Sequence, residues 1–240
     1  MVRITCESRQ PVDDLILGTD AGCAAYVQVK RSATLARDGQ GNLASTMDQF
    51  VRQYVAVRSA TANGEDTSEP GRDRLVLVVG AGAPATIRVT LRETLERVRT
   101  DPGDELPGAE LGAERGRALD VIAQHIRASW RAAVGSNPSH HDVRELLNLV
   151  YVETIELGEG ERDERSAKTI LRRSVLETPE HAAKAWSILI QEGLRLIRTR
   201  GHADRDRLLD VLNAAGLGVR APKSYREGSS PFLVGSRSCA

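Results

Sequence analysis

Val12-Asp13-Asp14-Leu15-Ile16-Leu17-Gly18-Thr19-Asp20-Ala21-Gly22-Cys23-Ala24-Ala25-Tyr26-Val27-Gln28-Val29-Lys30 is the stretch on which the reading of this chain turns. Two runs of strand composition flank Thr19-Asp20-Ala21-Gly22, where glycine is available for positive φ, so the stretch predicts a β-hairpin. Side chains alternate faces along a strand, so Gln28 and Lys30 share one face while Val27 and Val29 take the other. Asp14 opens the partner strand, and the tight turn returns it beside the end of the Gln28–Lys30 strand. A carboxylate, an amide oxygen and an ammonium then meet at one edge of a sheet.

That set suits hydrolysis of a phosphodiester with Mg²⁺ or Mn²⁺. A hard divalent ion takes oxygen ligands and keeps several waters. Asp14, the Gln28 side-chain oxygen and the Val29 backbone carbonyl are the expected metal ligands. Asp14, Gln28 and Lys30 are the expected catalytic residues, with Glu7 and Asp13 as accessory candidates. Asp13 and Asp14 compete for the carboxylate role, and Asp14 is favoured because it abuts the strand. Lys30 would position the attacking water or bind the scissile phosphate; an ammonium is a compact charge with a tunable pKa. Lysine is scarce, at Lys30, Lys168, Lys184 and Lys223 among 33 basic residues, so its placement in the hairpin carries weight. The competing account is the solvated face of an edge strand with an aspartate serving only turn chemistry.

Working outward, residues 2–6 read as a strand before the hairpin. Leu43, Met47, Phe50, Val51, Tyr54 and Val57 have the spacing of a helical face. Residues 61–73 read as a loop, and the apolar run 75–79 as a strand covered on both faces. Helix is expected again over 90–99. Residues 107–112 read as a second loop, and everything beyond it reads as helical, over 115–134, 139–157, 164–176, 179–200 and 204–214. Ser139, Thr178-Pro179 and Asp204 supply starting signals, and Gly135, Gly158, Gly201 and Gly216 mark ends. The expected organisation is an α/β domain over 1–105, a helical linker or regulatory domain over 106–223 and a poorly ordered tail over 224–240.

Composition narrows the class. Acidic and basic residues balance at 33 each, which argues against a protein that coats nucleic acid but not against a local cleft. Three cysteines at unrelated spacings give neither a disulfide framework nor a zinc pattern. No leader and no apolar run of membrane-span length is visible. A cytoplasmic protein without membrane contact is the expectation.

The quoted hairpin, through Arg31 and Ser32, resembles the D…QxK form of the PD-(D/E)xK restriction-endonuclease-like fold. More narrowly, it resembles the Mrr-like double-stranded-DNA nuclease domain at the N-terminus of bacterial antiphage NTPases of the NACHT/STAND type. The Asp48-Gln49-Phe50-Val51-Arg52-Gln53 helix and the arginine-rich helical segment ending Ala221-Pro222-Lys223-Ser224-Tyr225 look like that architecture too. The resemblance implies a restriction-endonuclease-like core followed by an all-α domain, acting as a magnesium-dependent DNA endonuclease in antiviral defence, with double-stranded DNA, a downstream NTPase module or partner protein, and self-association as expected interactions. Members usually carry a helix before the first strand, often with a glutamate that contributes to the site. Here the sequence opens on that strand, leaving Glu7 as the upstream acid, and Gln28 stands where Glu is commoner. No G-x-x-x-x-G-K-[ST] occurs, so the chain reads as the front part of a longer protein or a truncated copy.

Two rivals accompany this reading. One is a catalytically inactive DNA- or protein-binding module of the same fold. The other is a nucleotide-binding domain using Gly80-Ala81-Gly82-Ala83-Pro84-Ala85 after the 75–79 strand, which has the form G-x-G-x-x-A. His140-His141 read as exposed first-turn residues, because neighbours on a helix diverge and make a poor ligand pair. Arg117, Arg127, Arg131 and Arg144 read as phosphate contacts or partners of nearby acids, and Trp130 and Trp186 as core anchors.

Overall fold

The computed structural model describes residues 2–8, 10–12, 14–19, 22–63, 72–103, 105–107 and 109–220. Its centre is a six-stranded mixed sheet in the order β5-β4-β3-β2-β1-β6. Strand β1 is Arg3–Cys6, β2 is Leu15–Gly18 and β3 is Ala24–Lys30, joined as an antiparallel meander. Thr19 closes the β2–β3 turn by donating its N–H to the Cys23 carbonyl at 2.9 Å, and Gly22 sits at φ +76°, where a Cβ is disfavoured. Strand β4, Arg74–Gly80, lies parallel to β3, and β5, Val150–Ile155, lies parallel to β4. Strand β6, His202–Asp204, pairs antiparallel with β1 on the far edge.

Seven α-helices surround this sheet among the described residues: α1 Asn42–Ala62, α2 Arg92–Thr100, α3 Gly112–Val134, α4 His140–Leu149, α5 Arg162–Ile170, α6 Ala182–Thr199 and α7 Arg205–Ala214. Their ends follow local chemistry. Ser139 and Asp142 form a reciprocal capping box on α4, and the Asp204 carboxylate accepts the Arg207 N–H at the start of α7. Gly135 stops α3 in the left-handed region at φ +80°.

Cross-strand partners share a face, and the register sorts the sheet cleanly. Tyr26, Gln28 and Lys30 stand beside Leu75, Leu77 and Val79, and the last three are buried together with Val150 and Val152. Helices α1 to α4 cover this face. Phe50, Met47 and Leu43 of α1, Leu95 of α2, Ile122 and Ile126 of α3 and Leu146 and Leu147 of α4 join one continuous core with the sheet. Each such side chain contributes roughly 1.5–3 kcal/mol by leaving water. On the opposite face Cys6 packs with Leu196 and Ala203, and Leu15 and Leu208 lie against that group. A separate cluster of Leu171, Leu176, Ala182, Ala185, Leu212 and Leu217 binds the last helices together.

Three expectations are corrected here. Residues beyond 106 are not helical throughout, because β5 and β6 both join the sheet. Val150-Tyr151-Val152 continues an apolar helical pattern, but β4 offers it an unpaired edge, and the parallel ladder wins. A line at residue 105 also fails to separate two cores, since α3, α4 and β5 bury their apolar side chains in the same cluster as α1 and β4. Finally, 75–79 is not covered equally on both sides: Leu75, Leu77 and Val79 are buried, whereas Val76 and Val78 are only half-buried. The tail expectation for 224–240 falls outside the described residues.

Candidate functional site

The hairpin register places Leu15 opposite Val27 and Ile16 opposite Tyr26, so the residue before β2 comes level with Gln28. Asp14 is that residue. Its Oδ2 accepts a hydrogen bond from Gln28 Nε2 and another from the Val29 N–H at 2.7 Å. Strand β2 begins only at Leu15, so the Asp14 carboxylate takes the Val29 N–H that points toward its edge. In an extended strand N–H and C=O of one residue point to the same edge, so the Val29 carbonyl opens toward Asp14 as well.

Gln28 is buried, at 1% exposure, on the face covered by α1. Its amide nitrogen faces Asp14, and its Oε1 is buried with no hydrogen-bond partner. The structure therefore brings Asp14 and Gln28 into contact, but through the amide N–H rather than by turning both oxygens to one point. Lys30 follows two residues on along the same face, half-buried, with no hydrogen bond or ion pair among the described residues.

Glu7 is brought to the same corner by backbone. It follows β1 at φ +48°, and its N–H donates to the Asp14 carbonyl at 3.2 Å. Burial, followed by the Glu7 charge, pushes the neighbouring Cys6 thiol up. Asp13 lies outside the described residues, so the choice between the two aspartates rests on Asp14 alone being seen in contact with Gln28.

Sequence reasoning passed over the flank of α1 that borders this corner. Asn42, Thr46, Gln49 and Gln53 recur at spacings of four, three and four, a polar stripe beside the apolar face. Asn42 Nδ2 donates to the Ser32 carbonyl at 2.7 Å, and Gln53 Oε1 accepts the Val12 N–H at 3.4 Å. Between them, Gln49 Oε1 is buried without a hydrogen-bond partner.

The other candidates separate from the site. Arg144 is buried and donates to the carbonyls of Glu105, Asp101 at 2.6 Å and Val98 at 3.3 Å. It ties the end of α2 and the following loop to α4, so its expected role as a phosphate contact or the partner of a nearby acid is corrected. His140 and His141 are exposed in the first turn of α4, as expected. Trp130 is buried in the main core and Trp186 packs on the C-terminal cluster.

In the 80–85 turn, a Cβ on Gly80 would meet the Arg31 carbonyl only at 3.5 Å, and one on Gly82 would meet nothing within 4 Å. Neither glycine has positive φ. The turn's own packing therefore does not require glycine, and Arg88 Nε folds back to the Ala83 carbonyl at 2.6 Å.

Among the described residues, no three His, Cys, Asp or Glu side chains cluster as metal ligands. The hairpin's donor set is of a different kind: one carboxylate, an unpartnered buried amide oxygen and a backbone carbonyl. Those are hard oxygen donors and fit Mg²⁺ or Mn²⁺ rather than a softer metal. No helix among the described residues is long and apolar enough to cross a membrane. No protein-family model matches the chain, and no curated protein or solved structure is significantly similar to it.

Proposed function

We propose that this chain is a divalent-metal-dependent DNA endonuclease whose site is Asp14, Gln28 and Lys30, on a restriction-endonuclease-like core. The observation that carries the reading is the contact of Asp14 with Gln28 at the open end of the hairpin, with Lys30 next along the same face. Support comes from the setting. The hairpin lies inside a mixed sheet in which β1, β3, β4 and β5 run parallel while β2 and the edge strand β6 oppose them. Asp14, Gln28 and the Val29 carbonyl are the groups that would hold Mg²⁺ or Mn²⁺. When bound, such an ion acidifies water and neutralises the negative charge that builds on the phosphate in the transition state.

The chain's own side chains divide the remaining tasks. Lys30 brings an ammonium to the scissile phosphate or to the attacking water. The Val29 N–H and the Gln28 amide fix the Asp14 carboxylate in one rotamer, so its free lone pairs are aimed before any substrate arrives. Burial of Gln28 excludes water from one side of the corner. The resemblance of the hairpin extends the proposal to double-stranded DNA as substrate, to a cytoplasmic antiphage effector and to an NTPase module or partner protein as its trigger.

A second reading is favoured by the same contact seen differently. An aspartate satisfied by Gln28 and Val29 is also a lock for the hairpin, which suits an inactive binding module. Incubation of supercoiled plasmid with the protein and Mg²⁺ or Mn²⁺ separates the two. Nicking or linearisation is expected from the wild type, falling at least about a hundredfold in Asp14→Asn and Lys30→Ala. If wild type and both variants leave the plasmid equally intact with either metal while still binding it, the binding module is the correct description.

A further inference from the structure

We propose that Gln49 is the third side chain of the hairpin site, supplying an amide oxygen from α1 to the cation that Asp14 and Gln28 hold. The proposal rests on the metal-dependent reading above and names a donor that the hairpin itself does not contain.

The placement of Gln49 follows from contacts on either side of it. Helix α1 runs back over the sheet, antiparallel to β3. Its first residue, Asn42, is bonded to Ser32, two residues beyond Lys30, and Gln53 is bonded to Val12, two residues before Asp14. Gln49 belongs to the same flank, between these two anchors. At 1.5 Å per residue it stands about 10 Å along the helix from Asn42. Gln28 lies about 13 Å back from Ser32 along its strand. Side chains lean toward the N-terminus of a helix, so Gln49 addresses the stretch of β3 between Lys30 and Gln28, beside the Asp14 contact.

Energetics then distinguish this flank from an ordinary polar seam. Thr46 returns its hydroxyl to the Asn42 carbonyl, and Gln53 is engaged by Val12 and Gln10. Gln49 Oε1 and Gln28 Oε1 are both buried with nothing donating to them. An unmet buried acceptor is costly, and positive charge between hairpin and helix would offset that cost. Two amide oxygens and one carboxylate leave the site with a single negative charge. Such a set suits a hard cation that accepts neutral oxygens, and it predicts that adding a second carboxylate tightens binding.

The test is titration of the full-length chain with Mn²⁺, following free Mn²⁺ by electron paramagnetic resonance, for wild type, Asp14→Asn, Gln49→Met and Gln49→Glu. Gln49→Met should weaken Mn²⁺ binding by about tenfold and Gln49→Glu should strengthen it by a similar factor. A gain of affinity in Gln49→Glu cannot come from misfolding. Equal affinity in wild type and both Gln49 variants, with binding lost in Asp14→Asn, would overturn the role of Gln49 and leave the hairpin site standing. Absence of Asp14-dependent Mn²⁺ binding in wild type and in Gln49→Glu would overturn the metal-dependent reading and this inference together.

Discussion

Gln28 and Arg144 are both buried polar side chains, and the protein treats them in opposite ways. Arg144 delivers its guanidinium to three backbone carbonyls. Close by, Tyr54 donates to Glu145 at 2.7 Å and Arg58 reaches Tyr54 and Asp142, each at 3.0 Å, while Asn148 Oδ1 one turn further along α4 is buried without a hydrogen-bond partner. Around Gln28 the accounts do not close. Its Oε1 and that of Gln49 accept nothing, and Lys30 has no partner among the described residues. Buried polar groups that fully satisfy one another hold a fold together, whereas a group left unsatisfied in a native structure calls for an explanation. The contrast makes Arg144 architectural, and the unmatched oxygens at the hairpin corner are what the proposed metal site would use.

The strongest way to break it is to remove both side chains in turn. Arg144→Met should cost about 3 kcal/mol, because buried carbonyls lose a charged donor. Gln28→Met loses one hydrogen bond to Asp14 but also removes an unmet oxygen, so its cost should stay within about 1 kcal/mol. Denaturant midpoints would measure both, and equal losses would erase the distinction. A smaller effect is expected in the turn that brings the site together. Gly22→Ala forces a Cβ into the left-handed region at φ +76° and should cost about 1 kcal/mol in the same assay.

The smallest effect concerns pH and the matched regions. In α6, the Arg195 guanidinium holds Glu192 below the usual carboxylate range against its burial, with Arg207 adding to the pull. For Asp142, burial acts upward but is outweighed by hydrogen bonds from Ser139 and by Arg58, so it too lies low. A carboxylate depressed by folding contributes stability above its unfolded pKa, and loses it as pH falls through the folded value. The melting temperature should therefore drop as pH is lowered from about 5 to about 3. Glu192→Gln should flatten that slope, and an unchanged slope would show that the Glu192 pairs contribute nothing measurable.

The legibility of the two regions differs for a physical reason. The hairpin was readable because its information is local: strand alternation, a turn with glycine and an aspartate at a strand start specify one another within nineteen residues. Cap residues were readable on the same terms, and Ser139 and Asp204 both start helices as their chemistry predicts. Strand β5 was not readable. Its apolar residues follow α4 without a break, and only the waiting edge of β4 turns them from helix to strand. Arg144 misled because a sequence gives charge without burial.

By itself, then, the sequence determined the hairpin, the face shared by Gln28 and Lys30, and the helical stripe of α1. Tertiary structure alone decided that the second half of the chain shares its core and its sheet with the first. It also decided which polar groups find partners. That separation is expected, because periodicity and turn chemistry act over a few residues, whereas the satisfaction of a buried oxygen depends on what folding brings to it from elsewhere in the chain.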